Sequence, residues 1–245
     1  MDPNYVFICG CPRSGTTFLA NFLNKHPRIC IGIERYGNLF FKEPLTTALF
    51  KRDRFFDIRS GDTFYTSLDF SDIYEKKYKF FDSSILVGDK IPLLFRYLDQ
   101  LKINFPGARL VFCVRNIFDV ASSYERRALD RNDTTWATDK DALASIVDWN
   151  SSLHSFLKHG SGFNAYVFDY DLFFNGDTTN EQARRIFDWL DVGWTDSLQG
   201  HLENFSHRAR ELEFARRRDL APAILRAISL QAAFGPYRRV LEWTR

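Results

Sequence analysis

The chain has 245 residues, 45% hydrophobic and 26% charged, which is the composition of one ordinary globular domain with room for a well-buried core. Basic residues number 33 and acidic ones 31, a net charge of +2, too small by itself to argue for nucleic acid or an anionic membrane as partner. No apolar run is long enough to span a bilayer, and the start Met1-Asp2-Pro3-Asn4 lacks the basic region of a secretory leader, so a soluble cytoplasmic protein is expected.

The first predicted strand, Val6 to Cys9, runs into Gly10-Cys11-Pro12-Arg13-Ser14-Gly15-Thr16-Thr17, and a helical pattern follows from Thr16 to Lys25. A strand, a glycine-bounded turn and a helix N-terminus make an anion site. Successive backbone N–H groups point at the ligand and the helix dipole favours negative charge. The spacing is that of a nucleoside-triphosphate loop, with Thr16 where the lysine belongs. Without that lysine the loop lacks the cation that covers the β- and γ-phosphates of ATP. A smaller, less charged group at the 5′ end of a nucleotide is expected there.

A second strand, Ile29 to Ile33, lies between His26-Pro27 and Glu34. From Tyr36 to Asp82 the pattern breaks into a long aromatic and charged stretch, an expected acceptor-binding insertion. Its pairs Phe40-Phe41, Phe55-Phe56 and Phe80-Phe81, with Phe173-Phe174 further on, are candidates to line an apolar cleft as well as to fill the core. The third strand is Ile85 to Val87, followed by Gly88-Asp89-Lys90-Ile91-Pro92 and a helix from Leu93 to Asn104. The fourth, Leu110 to Val114, ends on Arg115 and leads into a helix from Ile117 to Arg127. The polar run Asp130 to Thr135 is expected to be a mobile loop over the site. A helix from Asp139 to Lys158, a strand from Ala165 to Phe168, and helices from Asn180 to Asp191 and Pro222 to Phe234 complete the pattern. The arginines of Arg208 to Arg218 read as a solvated helix face, or as cations closing over an anionic ligand.

Alternating short apolar strands and helices predict one three-layer α/β domain across residues 1–245, built on a central parallel sheet. Residues 36–82 and 128–140 would be insertions on the acceptor side. Both nucleotide motifs fall at carboxyl ends of strands, where such sheets bind ligands. The four cysteines, Cys9, Cys11, Cys30 and Cys113, sit in or beside strands and read as small buried hydrophobes, not as zinc ligands or disulfides.

Pro12-Arg13-Ser14-Gly15-Thr16-Thr17 resembles the 5′-phosphosulfate loop of the sulfotransferases, enzymes that use 3′-phosphoadenosine 5′-phosphosulfate (PAPS). Phe105-Pro106-Gly107-Ala108-Arg109-Leu110-Val111-Phe112-Cys113-Val114-Arg115, continuing through Asp119-Val120 to Ser123-Tyr124, resembles the family's strand ending in arginine. Here Asn116-Ile117 replaces the usual Asp-Pro. Gly88-Asp89-Lys90-Ile91-Pro92 resembles its Lys-x-Pro element. His26-Pro27 through Gly32-Ile33-Glu34 is similar to a segment of tyrosylprotein sulfotransferases whose glutamate is the proposed base. The resemblance covers roughly Tyr5 to Leu190.

It implies a phosphate-loop NTPase-like sulfotransferase fold and sulfuryl transfer from PAPS to a hydroxyl or amine. Pro12, Arg13, Ser14, Gly15, Thr16 and Thr17 would bind the 5′ end, and Arg115 and Ser123 the 3′-phosphate. Arg13 and Lys90 would stabilise the departing phosphate. Glu34, placed next door to the phosphate loop in such a fold, would be the base, with Glu43 as the backup. The residues leave plainer readings open. Lys90 also suits a salt bridge to Asp89 or another carboxylate, and Glu34 one to Arg35 or Arg13. None of His26, His154, His159, His201 and His207 is well placed as a base, and no metal site is expected. A kinase would want lysine at position 16 and a strand-end aspartate for magnesium. A silent nucleotide-binding protein is argued against by the presence of both Lys90 and Glu34. The acceptor stays open among small molecules, carbohydrates and peptides.

Overall fold

The computed structural model describes residues 4–64, 71–174, 178–216 and 220–244. In chain order these form β1 (Asn4–Gly10), α1 (Thr16–Leu23), β2 (Ile29–Ile33), α2 (Arg52–Phe56), α3 (Ser71–Phe80), β3 (Leu86–Lys90), α4 (Leu98–Asn104), β4 (Arg109–Val114), α5 (Ile117–Leu129) and α6 (Ala142–His159). They continue with β5 (Asn164–Asp169), α7 (Tyr170–Phe174), α8 (Thr179–Trp189), α9 (Asp196–Arg216), α10 (Pro222–Gln231) and α11 (Phe234–Leu241). The sheet runs β2-β3-β1-β4-β5 and every neighbouring pair is parallel. Val6 to Cys9 in the central strand are wholly buried. Helices cover both faces of such a sheet, which is why its strands read as unbroken apolar runs. From β1 the chain goes to the edge strand β2, returns to place β3 between β2 and β1, then crosses to β4 and β5 on the other side. The carboxyl ends of β3, β1 and β4 therefore open on one crevice.

The five expected strands are present, with one shift that matters. β3 spans Leu86–Lys90, not Ile85 to Val87, so Asp89 and Lys90 lie within the sheet, opposite Phe7 and Ile8. Gly88-Asp89-Lys90 carries no local strand signal. It is drawn into the ladder because β1 and β2 pair with it from both sides. α6 starts at Ala142, three residues later than expected, because the Asp141 carboxylate caps it by accepting the N–H groups of Leu143 and Ala144, both at 2.9 Å. The last expected helix, Pro222 to Phe234, stops at Gln231, and a further helix, α11, begins at Phe234. Asn150 of α6 accepts Ala233 N–H and donates to Gln231 O, each at 2.8 Å, and holds the break between α10 and α11.

The loop Asp130 to Thr135, expected to be mobile, is held at its base by side-chain bonds. Arg127 donates to Asp133 at 2.9 Å and to Thr135 at 2.8 Å. The Trp136 ring meets Tyr124 edge-on at 4.8 Å, and its N–H donates to Lys140 O at 2.8 Å. In the phenylalanine pairs, Phe40, Phe55, Phe81 and Phe173 are buried core, while Phe41 and Phe80 are exposed. All four cysteines are free and buried, and burial raises their thiol pKa values, that of Cys30 to about 12. α9 carries the basic segment as backbone to Arg216, but the Arg208 to Arg218 side chains lie outside the described residues. Among the described residues no helix is long and apolar enough to cross a membrane.

Candidate functional site

The loop between β1 and α1 turns through two left-handed residues, Arg13 at φ 72° and Gly15 at φ 88°. Glycine is needed at position 15 for a second reason. A Cβ there would stand 2.3 Å from the Tyr170 ring. α1 opens at Thr16 with no side-chain cap, which leaves its first N–H groups facing the loop. Ser14 is fully buried, and its hydroxyl has no hydrogen-bond partner among the described residues. A buried hydroxyl left in that state costs about 1–3 kcal/mol. An anionic oxygen set in the loop would relieve that cost, so the residues present fit a phosphate or phosphosulfate group.

Lys90 ends β3 beside the loop with its side chain wholly buried. Its Nζ donates to Glu34 Oε1 at 2.5 Å and to Thr17 Oγ1 at 3.0 Å. Glu34 directly follows β2, the edge strand, so β3 stands between it and β1. The expected closeness of Glu34 to the loop is therefore indirect, and Lys90 makes the bridge. Lys90 does pair with a carboxylate as the plainer reading allowed, but the carboxylate is Glu34 and not Asp89, so Glu34 pairs with Lys90 in place of Arg35 or Arg13. Glu34 takes a left-handed turn at φ 54°, and its N–H bonds Lys90 O at 2.8 Å. Behind this turn the Asp89 carboxylate accepts the N–H groups of Arg35 and Tyr36. Burial outweighs these bonds and pushes its pKa up to about 7. Glu43 is exposed on the insertion. His26 is buried, accepts Arg28 N–H at 3.2 Å and packs on Phe187, a structural role.

Across the crevice, Arg115 leaves β4 with its guanidinium 4.3 Å from the Tyr170 ring centroid. It lies 3.2 Å from Asp119 and 4.0 Å from Asp171. Asn116, where the family has aspartate, caps α5 by accepting Asp119 N–H at 2.9 Å. Its own amide groups donate to Asp171 at 2.7 and 2.9 Å. The altered dipeptide thus still builds a firm turn. One helical turn past Asp119, Ser123 Oγ accepts from Arg13 Nε at 2.9 Å. The fold so links the expected 5′ and 3′ subsites through Arg13 and Ser123. Sequence reasoning passed over Tyr170 and Asp171, and took Asp89 only as a possible partner of Lys90. Tyr170 and Asp171 carried a usable signal, since they follow the end of a buried strand directly, as Arg115 does.

A parallel α/β sheet with a glycine-bounded anion loop after its central strand defines the class. Within it the chain belongs to the sulfotransferase family, whose model matches residues 3–196. Nodulation protein NoeE of Sinorhizobium fredii (strain NBRC 101917 / NGR234) is 28% identical over 129 residues, 49% of this chain. The match spans 31% of that protein, so this chain corresponds to about a third of its curated relative. The sulfotransferase domain of the Synechococcus PCC 7002 olefin synthase superposes with a TM-score of 0.56 at 19% identity, over 100% of this chain and 96% of that one. The sulfotransferase domain from the curacin biosynthetic pathway gives 0.52 at 16% identity, over 80% of this chain and 76% of that one. At such identities the two structures show a shared fold.

Proposed function

We propose that this chain transfers a sulfuryl group from PAPS to an acceptor hydroxyl or amine, with Glu34 as general base. The observation that carries the reading is the placement of Lys90 Nζ between Glu34 Oε1, at 2.5 Å, and Thr17 Oγ1, at 3.0 Å. One contact is with the candidate base and the other with the anion loop. Pro12 to Thr17 would hold the 5′ end of the nucleotide, and Arg115 with Ser123 the 3′-phosphate. PAPS supplies the sulfuryl group on a phosphate that departs as an anion. Lys90 occupies Oε1 of Glu34, which leaves Oε2 to take the acceptor's proton. Once Glu34 is protonated, its charge no longer claims Lys90. The full ammonium charge, with Arg13 and the loop amides, then faces the phosphate oxygen on which negative charge develops. Base and electrostatic stabiliser are thereby coupled through one salt bridge.

The acceptor is a small molecule, carbohydrate or peptide approaching over residues 36–82 and 128–140. The exposed rings of Phe41 and Phe64, 6.4 Å apart, support an apolar element in its binding. Four free, buried thiols suit the reducing cytoplasm, where we place the protein.

The test offers a panel of hydroxyl-bearing acceptors with PAPS or ATP, in the presence of a chelator. Sulfuryl transfer from PAPS alone is expected. Phosphoryl transfer from ATP, or activity that returns only with a divalent ion, overturns the reading. Glu34→Gln is expected to slow transfer by about 10²–10⁴-fold while 3′-phosphoadenosine 5′-phosphate (PAP) still binds. Glu43→Gln is the milder control. Near wild-type turnover in Glu34→Gln removes Glu34 as the base.

A further inference from the structure

Asp89 is wholly buried, yet no cationic side chain hydrogen-bonds its carboxylate among the described residues. Oδ1 accepts the backbone N–H of Arg35 at 3.0 Å, and Oδ2 that of Tyr36 at 2.8 Å. The guanidinium of Arg35 turns away, to Phe55 O at 2.6 Å and Asp62 at 2.7 Å. A buried carboxylate with amide partners alone bears a large desolvation cost. Those two amides belong to the residues that follow Glu34, which sits in the left-handed region at φ 54°. A non-glycine residue stays in that region only when its surroundings hold it there. β2 leaves space for the carboxylate, since a Cβ on Gly32 would stand 2.7 Å from Asp89 Oδ1.

We infer that Asp89 is a positioning residue for Glu34: its carboxylate fixes the left-handed turn that aims the Glu34 side chain at Lys90 and the phosphate loop. The adjacent residues Asp89 and Lys90 thus grip the candidate base twice, once through the backbone that follows it and once through its carboxylate. The inference rests on Glu34 acting as the base.

A double-mutant cycle of Asp89→Asn and Glu34→Gln tests it, read as single-turnover rate, KM for PAPS, Kd for PAP and thermal midpoint. Asparagine keeps the shape but turns an N–H toward one of the two amide donors. Asp89→Asn is expected to slow turnover roughly 10- to 100-fold, as a displaced catalytic group does, with the Kd for PAP held. In the Glu34→Gln background the same change should cost almost nothing, because there is no base left to aim. An unchanged rate in Asp89→Asn, or a loss that adds in full to that of Glu34→Gln, overturns the inference and leaves Glu34 as base. A Glu34→Gln enzyme at wild-type rate overturns both. Should Asp89→Asn not fold, Asp89→Ser, which also removes the carboxylate from the Arg35 and Tyr36 amides, takes its place in the cycle with the same expected non-additivity.

Discussion

Arg115 is held between opposing demands. Asp119 at 3.2 Å and Asp171 at 4.0 Å flank its guanidinium, and Tyr170 lies against its face. Burial raises the Asp171 carboxyl pKa, against the pull of the Asn116 N–H. A 3′-phosphate would have to win the arginine from these carboxylates, so the gain in affinity is a difference of ion pairs. PAP is expected to bind more tightly than AMP, and Arg115→Ala to abolish most of the preference. A charge-assisted pair lost from a desolvated site costs about 2–5 kcal/mol, roughly 30-fold or more in Kd. Calorimetry with both nucleotides on both proteins reads this directly. Equal affinities in the wild type would remove Arg115 from the 3′ subsite.

At the scale of elements, the anion loop forms because a glycine lets β1 turn into α1 against Tyr170, the first residue of α7. Gly15→Ala meets two obstacles. Alanine at φ 88° costs roughly 1–2 kcal/mol, and its methyl would enter the Tyr170 ring at 2.3 Å. That ring also supports Arg115, so one substitution disturbs both ends of the proposed nucleotide site. Gly15→Ala is expected to lose PAP binding while its far-ultraviolet circular dichroism stays that of the wild type. An unchanged Kd would contradict the loop geometry. Most elements were legible because each carries its own pattern: apolar runs for β1, β2, β4 and β5, helical periodicity after them. β3 was misplaced because Gly88-Asp89-Lys90 is a strand only by virtue of its neighbours. The division of α10 from α11 depends on Asn150, some eighty residues away in the sequence.

At the scale of the molecule, the insertion is fastened to the sheet beside Glu34 by one buried arginine. Arg35 donates to Phe55 O, Arg54 O, Asp57 O and Asp62. Arg54 shares Asp62 at 2.6 and 2.8 Å. Removing one partner of a buried pair leaves the other charge stranded, so Asp62→Ala should lower stability by about 3–5 kcal/mol, read from urea denaturation at neutral pH. Burial pushes the Asp62 carboxyl up, but bonds from Arg54, the Arg59 N–H and Arg35 outweigh it and bring the pKa down from 3.8 to about 2. A depressed folded-state value gives stability that is complete above the unfolded pKa and is lost as pH falls through the folded one. The wild-type urea midpoint should therefore drop between pH 4 and 2, and that drop should shrink in Asp62→Asn. Identical acid profiles for the two proteins would show that Asp62 does not bear this load.

The sequence by itself determined the chemistry that is local to the chain. The loop Gly10 to Thr17, the strand ending in Arg115 and the glutamate after β2 each lie within a few residues of the backbone turn that presents them. Their geometry follows from dihedral preference, helix dipole and strand periodicity. Only the tertiary structure decided how these pieces meet. It placed β3 between β1 and β2, so that Lys90 joins Glu34 to Thr17. It set Ser123 against Arg13, and brought Asp89, Tyr170 and Asp171 into the site. Those contacts span separations such as 56 residues for Lys90 with Glu34 and 110 for Arg13 with Ser123. They depend on strand order and on which side chains pack across it, and no pattern local to either partner encodes that.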